Sequence, residues 1–195
     1  MNLYKIAVKA VKGLLHVFLF FKIKGKENIP SEDAFILCSN HRSFMDPILL
    51  AAGCPRQLTF MAKDELFKIP VLGWLIKKLG AFPIKRGRGD AAAVIAAIKI
   101  MKRGEPTLVF PEGTRIKNGE RKSVSPGIVR LAMQGNAPIV PAYVTKNTVT
   151  YGKPIYNAEF EEQAQNGEFM QNKADELMDN IYSLGRMKEI GGKNS

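Results

Sequence analysis

A chain of 195 residues, 46% of them hydrophobic, is long enough for one domain with a sizeable core. Twenty-nine basic residues against 18 acidic ones leave a net charge of +11, which points to anionic partners: phosphate-bearing substrates, an acidic membrane surface or nucleic acid. The cations are spread rather than massed and no nucleic-acid signature accompanies them, so nucleic acid is not expected; two cysteines are too few for a secreted disulfide scaffold, and Cys38 and Cys54 read as reduced core residues of a cytosolic protein.

Residues 1–21 have the pattern of an amphipathic helix. Lys5, Lys9, Lys12 and His16 share one face, and Leu3, Ile6, Val8, Val11, Leu14, Leu15, Phe18 and Leu19 fill the others. The apolar run is too short to cross a bilayer, and no small-residue cleavage site follows it. Interfacial docking on anionic lipid fits the charge; packing of the same helix onto its own domain is the alternative.

Residues 22–30 suggest a short exposed strand, and residues 34–39 (A-F-I-L-C-S) a buried one. Then comes Asn40-His41-Arg42-Ser43-Phe44-Met45-Asp46, followed by Pro47 and an apolar helical run. Proline favours the first position of a helix and aspartate its N-cap, so the segment reads as strand, turn, helix, with Asp46 near the helix start. Residues five apart on a continuous helix diverge by about 140°. His41 and Asp46 therefore meet only if His41 lies on the turn. There the carboxylate would accept a hydrogen bond from Nδ1–H, fixing the tautomer and leaving Nε2 to accept a proton from a substrate hydroxyl. The competing reading is a turn histidine beside a capping aspartate.

Residues 56–62 read as another strand, 63–67 as a helical turn, and 70–79 as a strongly apolar helix whose Trp74 belongs either to the core or to a membrane contact. Residues 80–88 read as a short strand ending in the cations Lys85, Arg86 and Arg88. A helix over 90–103 places Ala93, Val94, Ala97, Ile98 and Met101 on one face. Residues 107–110 form a buried strand entering Pro111-Glu112-Gly113-Thr114-Arg115. A helix from Ser125-Pro126 to about Gly135, strands over 138–144 and 147–151, and a helix from about Glu168 to Leu184 follow, the last with Ala174, Leu177, Met178, Ile181 and Tyr182 inward. The tail 191–195 is expected to be disordered.

Strands alternating with helices give an α/β fold: a single domain with a largely parallel central sheet flanked by helices, behind an N-terminal amphipathic helix. Sites in such sheets lie beyond the carboxyl ends of the strands. His41, Arg86, Glu112 and Arg115 all follow strands and so converge on one crevice. No nucleophile elbow, phosphate-binding glycine loop or dinucleotide fingerprint is present, and two histidines are too few for a metal centre. Ser43 reads as a turn-capping hydroxyl and Cys38 as buried.

Four motifs in order carry a resemblance. Asn40-His41-x4-Asp46, Gly80-x-Phe82-x-Ile84-x-Arg86, Phe110-Pro111-Glu112-Gly113-Thr114-Arg115 and Val140-Pro141-Ala142-Tyr143 resemble the four motifs of the glycerolipid acyltransferases, most of all the bacterial 1-acylglycerol-3-phosphate O-acyltransferases. The resemblance implies transfer of an acyl group from an acyl carrier protein or coenzyme A thioester to the free hydroxyl of lysophosphatidic acid, 1-acylglycerol 3-phosphate, giving phosphatidic acid without a cofactor. His41 would be the base and Asp46 its orienter. Arg86 would hold the acceptor phosphate, helped by Arg115, with Lys63 a weaker candidate; Glu112, Gly113 and Thr114 would shape the acceptor site and Pro141 the acyl pocket. Residues 22–190 would be the acyltransferase domain and 1–21 its docking helix, at the cytoplasmic face of the membrane. Another lysophospholipid or glycerol 3-phosphate as acceptor, and a non-catalytic basic membrane-surface protein, stay open.

Overall fold

In a computed structural model of the chain, residues 6, 8–13, 20–84, 89–116, 124–161, 163 and 165–190 are described. Strands β1 (Lys22–Lys24), β2 (Ile36–Ser39), β3 (Thr59–Lys63), β4 (Ala81–Ile84), β5 (Thr107–Val109), β6 (Ile139–Val144) and β7 (Thr148–Tyr151) form one sheet. Their order is β1-β7-β6-β2-β5-β3-β4. From β6 through β4 the strands run parallel; β7 is antiparallel to β6, and β1 pairs parallel with β7. All seven strands fall where the sequence pattern puts them.

The central strand β2 is buried at every position, as expected of a strand covered on both faces. Phe35 and Leu37 enter one apolar cluster, and Ile36 and Cys38 the other. The first cluster is covered by α1 (residues 8–13), α2 (Asp46–Gly53), α3 (Asp64–Phe67) and α4 (Leu72–Lys78). The second is covered by α5 (Gly89–Met101), α6 (Gly127–Gly135), α7 (Ala158–Glu161) and α8 (Gly167–Ile190). The edge strand β1 turns Lys22 and Lys24 outward, a charge pattern that discourages pairing with another chain.

Several boundaries differ from the sequence reading for local reasons. β1 stops at Lys24 because Gly25, at φ 68°, turns the chain into the 3-10 turn Lys26–Asn28. A Cβ on Gly25 would lie 2.1 Å from the Tyr151 carbonyl oxygen, so glycine is required there. β3 begins at Thr59 rather than 56, because Arg56 is used to tie loops together, donating to the Pro30, Asp33 and Gly104 carbonyls. The short helix α7 has no counterpart in the sequence reading, and α8 begins a residue earlier and continues past Leu184. Trp74 is 58% exposed, so it is not a core residue.

Of the N-terminal helix, Val8 and Val11 pack against the domain's own core while Ile6, Lys9 and Lys12 are exposed. Lys5, His16 and residues 191–195 lie outside the described residues. Among the described residues no helix is long and apolar enough to cross a membrane.

Candidate active site

The sheet changes direction at β2. The chain moves outward through β3 and β4, returns to β5 on one side of β2, then crosses to β6 on the other. A crevice opens at such a switch point, beyond the carboxyl ends of the strands. His41 follows β2 at the centre of it, Glu112 follows β5, and Lys63 is the last residue of β3.

Asn40 ends the strand by a side-chain route. Its amide donates to the Val144 carbonyl at 3.1 Å and accepts the Val144 N–H at 2.8 Å. The fully buried amide thus extends the β2–β6 ladder by one step after the backbone has turned away. The turned backbone is then held on both sides. The His41 N–H donates to Glu112 Oε2 at 3.0 Å, and the His41 carbonyl accepts the Ile116 N–H at 2.8 Å.

The imidazole is fixed as firmly. It stacks on Phe110 with centroids 4.0 Å apart and planes 21° apart. Its Nδ1 lies 3.0 Å from Asp46 Oδ2. The same oxygen accepts the Arg42 and Ser43 N–H groups, each at 2.6 Å. Asp46 is 3% exposed, and these donors compensate the burial of its charge. An ionised carboxylate at Nδ1 selects the tautomer with the proton there, leaving Nε2 with its lone pair free to accept one. Asp46 is the first residue of α2, and its carboxylate ties down the loop ahead of the helix; no side chain caps the helix itself.

Ser43 Oγ accepts the Met45 N–H at 3.1 Å, so it is the turn-capping hydroxyl expected. Cys38 is fully buried, and burial pushes its thiol far above the ordinary range. Cys54 is also buried and free, its thiol pushed up to about 12 by burial.

Phe110-Pro111-Glu112-Gly113 makes a tight turn closed by the Gly113 N–H on the Phe110 carbonyl at 3.0 Å, with proline second and glycine fourth as such turns prefer. Gly113 has φ 65°. The turn sends Glu112 inward, to 7% exposure, and leaves Gly113, Thr114 and Arg115 exposed. The Arg115 guanidinium lies 3.5 Å above the Phe44 ring, a cation–π contact that ties the turn after β5 to the loop after β2.

Lys63 is exposed at the end of β3, level with Ile84 of β4. Arg86, two residues further, lies outside the described residues. Pro141 sits inside β6 opposite Cys38, three residues before Val144 and two short of the level of Asn40; it is buried, and its ring packs where Gly152 has no side chain. On the β6 side of His41 a cavity of about 470 Å³ lies against Asp46, with Met45, Leu49 and Val144 as apolar walls and Arg42 and Lys146 as its cations.

The ring support from Phe110, the ladder role of Asn40 and the contact of Tyr182 with Glu112 were not read from the sequence. The Tyr182 hydroxyl donates to Glu112 Oε1 from α8, seventy positions away in the chain. Its inward spacing was visible; its polar partner was not.

A family model described as Acyltransferase matches residues 20–145. The 1-acyl-sn-glycerol-3-phosphate acyltransferase of Bacillus subtilis is 33% identical over 171 residues, 81% of this chain and 85% of that protein. The enzyme of the same name from Streptococcus pneumoniae is 35% identical, over 74% of this chain but only 54% of its own length. The crystal structure of the 1-acyl-sn-glycerophosphate (LPA) acyltransferase PlsC from Thermotoga maritima superposes with a TM-score of 0.71 at 25% identity, covering 95% of this chain and 81% of that one.

Proposed function

The chain belongs to the acyltransferase family, and from that membership and the crevice at His41 we propose that it transfers a fatty acyl group from an acyl-thioester to the free hydroxyl of 1-acylglycerol 3-phosphate, giving phosphatidic acid. The observation that carries the reading is the His41–Asp46 contact at 3.0 Å, which leaves Nε2 as the base. The acceptor hydroxyl gives its proton to Nε2 as its oxygen attacks the thioester carbonyl. The tetrahedral intermediate then collapses, the carbon–sulfur bond breaks, and the departing thiolate recovers the proton from the imidazolium. The substrate supplies its own nucleophile, so no acyl-enzyme forms.

The acceptor phosphate is held by Arg86 and Arg115, whose planar forks match phosphate oxygens, with Lys63 contributing charge from the end of β3. Glu112, Gly113 and Thr114 shape the acceptor side of the crevice, and Pro141 shapes the acyl pocket. The donor is a thioester of acyl carrier protein or coenzyme A, and no cofactor takes part. Residues 1–21 dock the enzyme on anionic lipid at the cytoplasmic face of the membrane; the exposed Lys9 and Lys12 support this, while Val8 and Val11 are occupied by the domain itself. Thioester consumption measured with lysophosphatidate, other lysophospholipids and glycerol 3-phosphate in parallel tests the proposal. Lysophosphatidate should be the preferred acceptor by kcat/KM; preference for another would reassign the acceptor, and no transfer to any would overturn the reading.

A further inference from the structure

We infer that Tyr182, on the C-terminal helix α8, is a positioning residue for the His41 base and acts through Glu112. The inference rests on the acyltransfer reading for its kinetic consequence, though not for its structural one.

Glu112 bridges two elements. Its Oε2 accepts the His41 N–H at 3.0 Å, and its Oε1 accepts the Tyr182 hydroxyl. At 7% exposure the carboxylate depends on protein donors in place of water. Hydrogen bonds to a charged acceptor are the stronger kind, and each limits how the carboxylate can turn. Held at one oxygen only, Glu112 could rotate about its last torsion or draw in water. The His41 peptide would then lose the partner that fixes its N–H side.

The tyrosine is itself placed. Its ring meets Tyr143 of β6 edge-on, with centroids 6.0 Å apart. Tyr143 fits there because Gly185, three positions further along α8, has no side chain: a Cβ would lie 2.6 Å from the Tyr143 ring. Inward neighbours Met178 and Ile181 are buried, so α8 is anchored in the turn just ahead of this contact. Packing alone would be satisfied by phenylalanine at 182. The hydroxyl extends the helix's contact to the carboxylate that holds the base. α8 lies beyond residues 20–145, the segment the family model matches. The base is therefore braced by a part of the chain outside the shared motifs.

Tyr182→Phe in the full chain is the test, because it keeps the ring and removes only the hydroxyl. Two readouts decide. The first is hydrogen exchange at the His41 backbone amide, which needs no turnover; it should accelerate about tenfold or more, with the melting temperature lowered by only the several degrees that loss of one charged hydrogen bond costs. The second is kinetic. Misplacing a reacting group by about 1 Å can cost on the order of 100-fold, so kcat should fall about tenfold or more while both KM values stay near wild type. Glu112→Gln should lower kcat at least as much, and because Glu112 also shapes the acceptor side of the crevice, its acceptor KM should rise as well. The double variant should be no worse than Glu112→Gln alone, as for two residues acting along one path. Unchanged His41 exchange in Tyr182→Phe overturns the inference whatever the activity. Faster exchange with unchanged kcat also overturns it, as does a double variant whose loss is the product of the two single losses. A wild-type protein that transfers acyl groups to no acceptor overturns the acyltransfer reading and the kinetic role, while the exchange measurement still reports whether Tyr182 holds His41.

Discussion

Asp46 Oδ2 lies 3.0 Å from His41 Nδ1 and also accepts the N–H groups of Arg42 and Ser43. One oxygen thus fixes the tautomer of the His41 imidazole and the shape of the loop that carries it. An amide at 46 can present NH₂ to the imidazole and so hold the wrong tautomer. Asp46→Asn should lower kcat by about 100-fold or more, within the range for loss of general-base function, and should also lower stability. A variant with near-normal kcat would show that the carboxylate is only a loop tie.

Direct transfer requires no nucleophile on the protein. Ser43→Ala removes a cap on the Met45 N–H, and Cys38→Ala removes a buried core atom. Both should retain substantial activity, with Cys38→Ala the less stable of the two. Mass spectrometry of protein quenched during turnover should find no acyl adduct on either residue; an adduct would replace direct attack by a two-step mechanism.

The acceptor phosphate makes a further prediction. Arg86→Ala should chiefly raise the acceptor KM, with a smaller rise for Arg115→Ala, and Arg86→Lys should recover only part because lysine lacks the two-donor fork. Phe44→Ala removes the ring beneath Arg115 and should mimic a mild Arg115 defect. A rise in the donor KM instead would place the thioester on that side of the crevice.

The buried thiols predict alkaline instability. Burial raises Cys54 from its ordinary value of 9.0 to about 12, and Cys38 higher still. Between about pH 9 and 12 the unfolded chain releases these protons and the folded chain keeps them. Their contribution is therefore fully present below about pH 9 and lost as pH rises through that window. Urea midpoints should fall from pH 8 to pH 10, and a thiol reagent at pH 8 should label neither cysteine until the protein unfolds. Prompt labelling of the native protein would contradict the burial.

Membrane attachment should depend on salt. Lys9 and Lys12 are exposed on a helix whose Val8 and Val11 are already packed on the domain. Lys5, Lys9 and Lys12 changed together to Glu should release the protein from anionic vesicles, since each lysine is worth on the order of 1 kcal/mol at such a surface. Activity on dispersed lysolipid should survive. Unchanged co-sedimentation at low salt, with a lower melting temperature, would show that the helix serves only the fold.

The strands were legible because central parallel strands leave continuous apolar runs. Residues 34–39 and 138–144 needed only that signal. The pairing of His41 with Asp46 was legible because both lie within one strand–turn–helix unit. Contacts between elements distant in the chain were not. Glu112 is seventy residues from Tyr182 and 71 from His41, and spacing along a chain carries no information about which glutamate oxygen faces which helix. Asn40 was visible as a motif residue, but its work in the β2–β6 ladder depends on the register of two strands. The exposure of Trp74 was not read either, although Lys77, three positions on and exposed on the same face of the helix, marks that side as outward.

In the proposed reaction the Nε2 of His41 takes the proton of the acceptor hydroxyl. The most direct test of that step is thioester consumption by purified His41→Ala with lysophosphatidate, beside a thermal melt. Loss of the imidazole should lower kcat about 10²–10⁴-fold, with the fold intact and the acceptor KM close to wild type. Near-normal kcat in the folded variant would contradict that step.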